Sequence, residues 1–148
     1  MSIAVAVSPG AVRVPLARRR VAALAERVLR AEGARHALVS VSFVSTRAIA
    51  ALNARHLGRR GPTDVIAFGF APAGRGAPVV GDIYIAPEVA RANARRHGVG
   101  VREELARLVV HGTLHVMGRD HPEGETRTTS PMWRRQERLL RTWLRSAR

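Results

Sequence analysis

Apolar residues recur along this chain at two periods, and the changes of period predict its elements. Ile3 to Val7 is a short apolar run, read as a strand. Pro15 suits a first helical turn. Val21, Leu24, Ala25, Val28 and Leu29 then recur at helical spacing until Gly33 closes the helix. Leu38 to Val44 reads as a strand with Val39, Val41 and Phe43 on one side. Ser45 is placed to cap a helix that carries Ile49, Ala50 and Leu52 through about His56. A basic turn, Gly58-Arg59-Arg60-Gly61-Pro62-Thr63, leads into a strand over Asp64 to Phe70. Residues 71–78 form a Gly/Pro loop, and Val79 to Ala86 is a second strand expected to pair with the first as a hairpin. Three helices follow: Pro87-Glu88 to about Gly98, Arg102 to Met117, and Pro131 to Leu144. The last has Met132, Leu139, Leu140 and Trp143 as core candidates. The predicted order, β-α-β-α-β-β-α-α-α, is that of an α+β fold: a small mixed sheet of about four strands covered by about five helices. There is no repeat and no long linker, so residues 1–148 are read as a single domain.

Composition narrows this picture. With 148 residues, 46% of them apolar, one compact unit with a real core is expected. The absence of cysteine excludes disulfides and cysteine-held metals, and fits a reducing compartment. The first residues, Met1 to Val7, lack a basic start, and no run of eighteen apolar residues occurs. A soluble cytoplasmic protein with no membrane partner is the expectation.

The formal charge is +14, and all 25 basic residues are arginine, set against eleven acids. Such an excess favours a polyanionic partner, nucleic acid above all, through counterion release. No basic amphipathic helix with aromatic anchors stands out, which disfavours a membrane surface. Arginines 18, 19, 20, 27 and 30, and Arg91, Arg95 and Arg96, read as solvated helix faces.

The most chemically pointed segment is His111-Gly112-Thr113-Leu114-His115-Val116-Met117-Gly118-Arg119-Asp120-His121. Two histidines four apart share one helix face. Gly118 can end that helix and turn the chain back, bringing His121 to the same point. Three imidazoles with one open position make a catalytic zinc arrangement, one ion per chain. Zinc proteases of the long-motif class carry a glutamate after the first histidine as general base. Here that residue is Gly112. The loss moves the expected chemistry from peptide toward phosphodiester, where charge stabilisation supplies more of the rate. A carboxylate restored at 112 is expected to sit beside the metal and repel phosphate. Asp120 could orient a histidine by accepting its free N–H, or cap the turn. Met117 and Met132 read as core or pocket floor, and Asp64 and Asp82 as buried hydrogen-bonding groups. His36, His56 and His97 show no ligand spacing and read as surface.

The histidine block closely resembles the signature of the YbeY endoribonucleases, a bacterial ribosomal-RNA maturation family. Leu52-Asn53 with Pro62 to Phe68, then Gly81 to Ile85, then Met132 with Gln136-Glu137, agree in the same order. The resemblance covers about residues 3 to 144. It implies a single-strand-specific, zinc-dependent endoribonuclease of 16S rRNA 3′-end maturation and ribosome quality control, with zinc held by His111, His115 and His121. Aromatic residues are only 4% of the chain, so base stacking is poorly supplied and recognition is expected to lean on backbone charge and shape, with ribosomal proteins as further partners. The family has a Tyr-Arg pair before the basic turn whose arginine is regarded as functional; the aligned pair here is His56-Leu57. Arg55, Arg59 or Arg60 could substitute, and Arg59 and Arg60 are taken as candidate catalytic residues. The family's Leu-Ser-Phe in the next strand is Ile66-Ala67-Phe68 here.

Two other classes stay open on residues alone. One is a metallohydrolase of another ester or amide, the charge serving solubility. The other is a non-catalytic ribosome-assembly factor in which zinc holds the C-terminal third together. Neither the nucleophile, the general acid nor the oligomeric state is legible.

Overall fold

Alternation and helical spacing both turn inward onto one central helix. The structure, a computed structural model, describes residues 2–70, 76–119 and 130–146. The order is β1 (Ser2–Ser8), α1 (Arg18–Ala31), β2 (His36–Phe43), α2 (Thr46–Leu57), β3 (Val65–Phe70), β4 (Val79–Ile85), α3 (Pro87–His97), α4 (Val101–Val116) and α5 (Pro131–Ser146). The four strands lie in the order β1-β2-β4-β3. The first three are parallel and β3 runs antiparallel to β4, Val65 opposite Ile85. This is the mixed α+β sheet that the pattern predicted, with β3 and β4 paired; most of the expected loop between them lies outside the described residues.

The strands are one-sided. Val39, Val41 and Phe43 of β2 are buried while their neighbours are not, and Ile83 and Ile85 of β4 share their register. Onto that face pack α1, through Val21, Leu24, Ala25, Val28 and Leu29, and α4. The first helix begins at Arg18, later than Pro15 suggested: Leu16 is drawn into the core, and the chain between Ser8 and Ala17 is irregular. Ser45 caps α2 as expected, its hydroxyl accepting from the Ala48 N–H at 3.1 Å. On the other face α2 sets Ile49 over Ile66 and Ala86.

The centre of the molecule is α4. It contacts α1, α3, α5, β3 and β4, and most of its residues are buried, as expected of a helix covered on every side. Leu105, Val109 and Leu114 are fully buried, each worth roughly 1.5–3 kcal/mol of apolar transfer. Its C-terminal half lies against glycines. A Cβ at Gly81 would meet Val116 Cγ1 at 2.5 Å, and one at Gly69 would meet the Val116 carbonyl oxygen at 2.8 Å. The hairpin thus meets the histidine-bearing end of α4 almost backbone to backbone.

Candidate metal centre

Four residues make just over one helical turn, so α4 sets His111 and His115 on one face. Their ring centroids are 4.7 Å apart, inclined at 62°. His111 is buried and His115 half-buried. The helix stops where Gly118 predicted. Gly118 takes φ +91°, its N–H donates to the His115 carbonyl at 2.9 Å, and the Arg119 N–H donates to that of Leu114 at 3.0 Å. Asp120 and His121, the expected orienting group and third ligand, lie outside the described residues. Among the described residues no three ligand side chains come together.

One residue that the motif did not single out for chemistry acts on the first histidine. Gln136, buried on α5, accepts at Oε1 from His111 Nδ1 across 2.7 Å. The direction of this bond follows from its neighbours. The amide Nε2 of Gln136 donates to Glu137 Oε2 at 3.1 Å, and a carboxylate only accepts, so the amide oxygen must face the imidazole. An amide oxygen also only accepts, so Nδ1 carries a proton and, in the neutral ring, Nε2 of His111 is the lone-pair nitrogen. Glu137 is in turn held by Arg107, Nε to Oε2 at 3.0 Å and Nη2 to Oε1 at 3.2 Å. Arg107 also binds Glu104 at 2.9 Å and Glu103 at 3.1 Å. Burial alone would lower the pKa of its guanidinium. The bonds and charges of Glu137, Glu104 and Glu103 outweigh burial and hold it above its ordinary value. Arg107, Glu137, Gln136 and His111 thus form one polar chain that sets the His111 tautomer from α5, the kind of outer support metal-binding histidines use. The donor set fits zinc: two imidazoles on one face, one with its tautomer fixed, and no thiol anywhere.

A cleft of about 510 Å³ opens beside His111 between α3, α4 and α5. Asp64, Arg96, His97, Trp133 and Gln136 are among its walls, and His115 is not. Asp64 accepts from Asn93 at 3.2 Å and Asp82 from Ser40 at 2.6 Å, so both carboxylates are engaged as expected, though half-buried and not buried. His36, His56 and His97 are exposed, yet His97 edges the cleft and His56 meets the Phe68 ring edge-on at 5.3 Å. Met132 is buried and Met117 packs on the core. Arg59 and Arg60 stand exposed on the turn after α2, and neither lines this cleft. Its guanidiniums are Arg96 and Arg107.

Two expectations need correcting. Gly112 does not look out beside the face that bears His111 and His115. A Cβ there would lie 2.7 Å from Ile83 Cγ2, so position 112 faces the sheet and has no room for a carboxylate. Second, α5 is itself a basic amphipathic helix bearing Trp133 and Trp143. Its apolar side is turned inward: Met132, Leu140 and Trp143 are buried, with Arg20 over the Trp143 ring at 4.9 Å. No apolar face is left for a bilayer, and among the described residues no helix is long and apolar enough to cross one.

A family model, Endoribonuclease YbeY, matches residues 11–144. The chain belongs to the YbeY endoribonuclease family. It is 37% identical to Endoribonuclease YbeY of Thermobifida fusca, over 99% of this chain and 96% of that one. Its identity to the Syntrophus aciditrophicus protein of the same name is 31%, over 95% and 89% of the two chains. The solution structure of TM1509 from Thermotoga maritima superposes with a TM-score of 0.63 at 25% identity, covering 97% of this chain and 90% of that one. The segments that carried the YbeY resemblance have physical work in the fold. Asn53 is buried and its side-chain amide donates to the Gly61 carbonyl at 3.0 Å, while its backbone carbonyl takes the N–H groups of Gly58 and Arg59, so it shapes the basic turn. Gly81 admits α4 to the sheet, and Gln136 orients His111.

Proposed function

We propose that this YbeY-family chain is a zinc-dependent, single-strand-specific endoribonuclease of the cytoplasm, acting in 16S rRNA 3′-end maturation and ribosome quality control, with ribosomal proteins as further contacts. The observation that carries the reading is the Arg107–Glu137–Gln136–His111 chain behind an imidazole pair on one helix face. A histidine whose Nδ1 proton is held this way presents Nε2 to a cation. His111, His115 and, by the motif, His121 would hold one zinc ion, which supplies a bound water of lowered pKa or polarises a phosphoryl oxygen. Gln136 keeps the His111 ring from rotating or changing tautomer. Arg96 at the cleft wall, and Arg59 and Arg60 on the turn, offer forked donors suited to backbone phosphate. No carboxylate can follow the first histidine, because Ile83 fills that space. The usual protease base is therefore excluded by packing, which supports an ester over a peptide substrate.

The test pairs elemental analysis with cleavage of single-stranded RNA by wild type and His115→Ala. Stoichiometric zinc and cleavage in the wild type, both lost in the variant, support the reading. Zinc without metal-dependent cleavage would instead make the chain a non-catalytic assembly factor. Hydrolysis of a small ester but not RNA would make it another hydrolase.

A further inference from the structure

Beyond the cleft that holds His111, the molecule carries a second groove, along α5. The two share the walls Arg107 and Trp133. Along the outer groove stand Arg134, Arg138, Arg141 and Arg145. Their spacing, i, i+4, i+7 and i+11, places them on one helix face. At about 1.5 Å per residue they extend about 16 Å. All four are exposed.

The charge of this groove is not balanced. Its two carboxylates, Glu103 and Glu137, are both bonded to Arg107. Among the described residues Arg141 bonds a backbone carbonyl, that of Glu137 at 3.3 Å. Among the described residues Arg134, Arg138 and Arg145 meet no carboxylate. Arginines elsewhere are paired: Arg135 and Arg119 hold Glu32, and Arg30 holds Glu26. Trp133 stands where the groove meets the cleft, half-buried, and lines both.

From this juxtaposition we infer that α5 is a track for the backbone of single-stranded RNA, running from the His111 cleft past Trp133 to Arg145, with one base stacked on the Trp133 ring. The inference rests on the proposed ribonuclease reading and adds a subsite to it. The arginines neutralise successive phosphates, releasing counterions, and the indole accepts any base because every base has a π-face. A double helix does not suit this track, since paired bases have no free face for Trp133. A membrane surface does not suit it either, because the apolar side of α5 is inside the protein.

The test uses fluorescence anisotropy of a labelled oligouridine of about twelve nucleotides at several salt concentrations. The triple variant R134Q/R138Q/R145Q keeps good helix formers at exposed positions, so the helix survives. Its comparator, R35Q/R47Q/R91Q, removes the same charge from exposed sites elsewhere. The α5 variant is expected to lose about tenfold or more in affinity, and its log–log salt slope to fall by about 2, at about 0.7 per phosphate contact. The comparator should lose much less. Trp133→Ala should weaken binding severalfold with the salt slope retained, since it removes stacking and not charge. Equal losses in the two triple variants would overturn the track, leaving only net charge. So would unchanged binding by the α5 variant while the wild type binds and cleaves RNA; in that event the ribonuclease reading stands alone. A wild type that neither binds nor cleaves RNA overturns both.

Discussion

Arg107 and Arg138 wall the same groove from adjacent helices, and they differ in everything but side chain. Arg107 on α4 is largely covered and bonded to Glu103, Glu104 and Glu137. Arg138 on α5 is exposed and meets no carboxylate among the described residues. A net charge of +14 counts the two alike. The first is a structural cation whose removal strands three acids and slackens the support behind His111. The second is available to a partner. Pairing, which for Arg107 is local with Glu103 and Glu104 and tertiary with Glu137, separates the arginines that build the site from those that can meet RNA.

The largest expected effect comes from removing the paired cation. Arg107→Leu leaves Glu104 buried and uncompensated beside Glu137, and should destabilise the fold by about 2–4 kcal/mol, read as a lower denaturant midpoint. Arg138→Leu should shift stability by no more than about 0.5 kcal/mol. Similar losses for the two would erase the contrast.

Packing behind the histidines comes next. Gly112→Ala places a methyl 2.7 Å from Ile83 Cγ2, a rigid branch in a filled core, and should cost about 1–3 kcal/mol. Pairing it with Ile83→Leu, which removes that branch, should recover part of the loss. Gly112→Glu should fail to yield folded protein, because it buries a carboxylate with no partner. A folded, stable Gly112→Glu chain would show that α4 lies farther from the sheet than described.

The smallest effect on stability, and the sharpest on the site, is expected at Gln136. Gln136→Leu keeps the volume and removes the acceptor for His111 Nδ1. Zinc affinity, measured by competition with a chelator, should fall about 10–100-fold. Gln136→Glu should not rescue it, because a carboxylate there would face Glu137 Oε2, to which the amide now donates at 3.1 Å. Equal zinc affinity in wild type and Gln136→Leu would reduce the bond to a packing detail.

How far these features were legible depends on their range. Ser45 capping α2 and Gly118 ending α4 are local, and the residues say so by themselves. The strands and their hairpin followed from alternation, since one face of the sheet is buried. The imidazole pair followed from a spacing of four. Gln136 is 25 residues from His111, and nothing in its neighbourhood marks it as the partner; only the packing of α5 on α4 brings them together. Gly112 was legible as a missing base but not as the contact with Ile83, because a glycine does not announce what fills its space. Pro15 misled about the start of α1 because a proline that suits a first turn also suits the irregular chain before it. The α5 stripe was present as spacing, but its meaning depended on which carboxylates Arg107 had already taken.

The contrast between the two kinds of arginine is tested most directly by one paired measurement: urea midpoint and single-stranded RNA affinity, side by side, for Arg107→Gln and for R134Q/R138Q/R145Q. The account predicts a crossed result. Arg107→Gln lowers the midpoint clearly, and RNA affinity measured on the fraction that remains folded changes little. The triple variant keeps the midpoint and loses RNA affinity with a flattened salt slope. A triple variant that binds RNA like the wild type, or an Arg107→Gln chain as stable as the wild type, would contradict it.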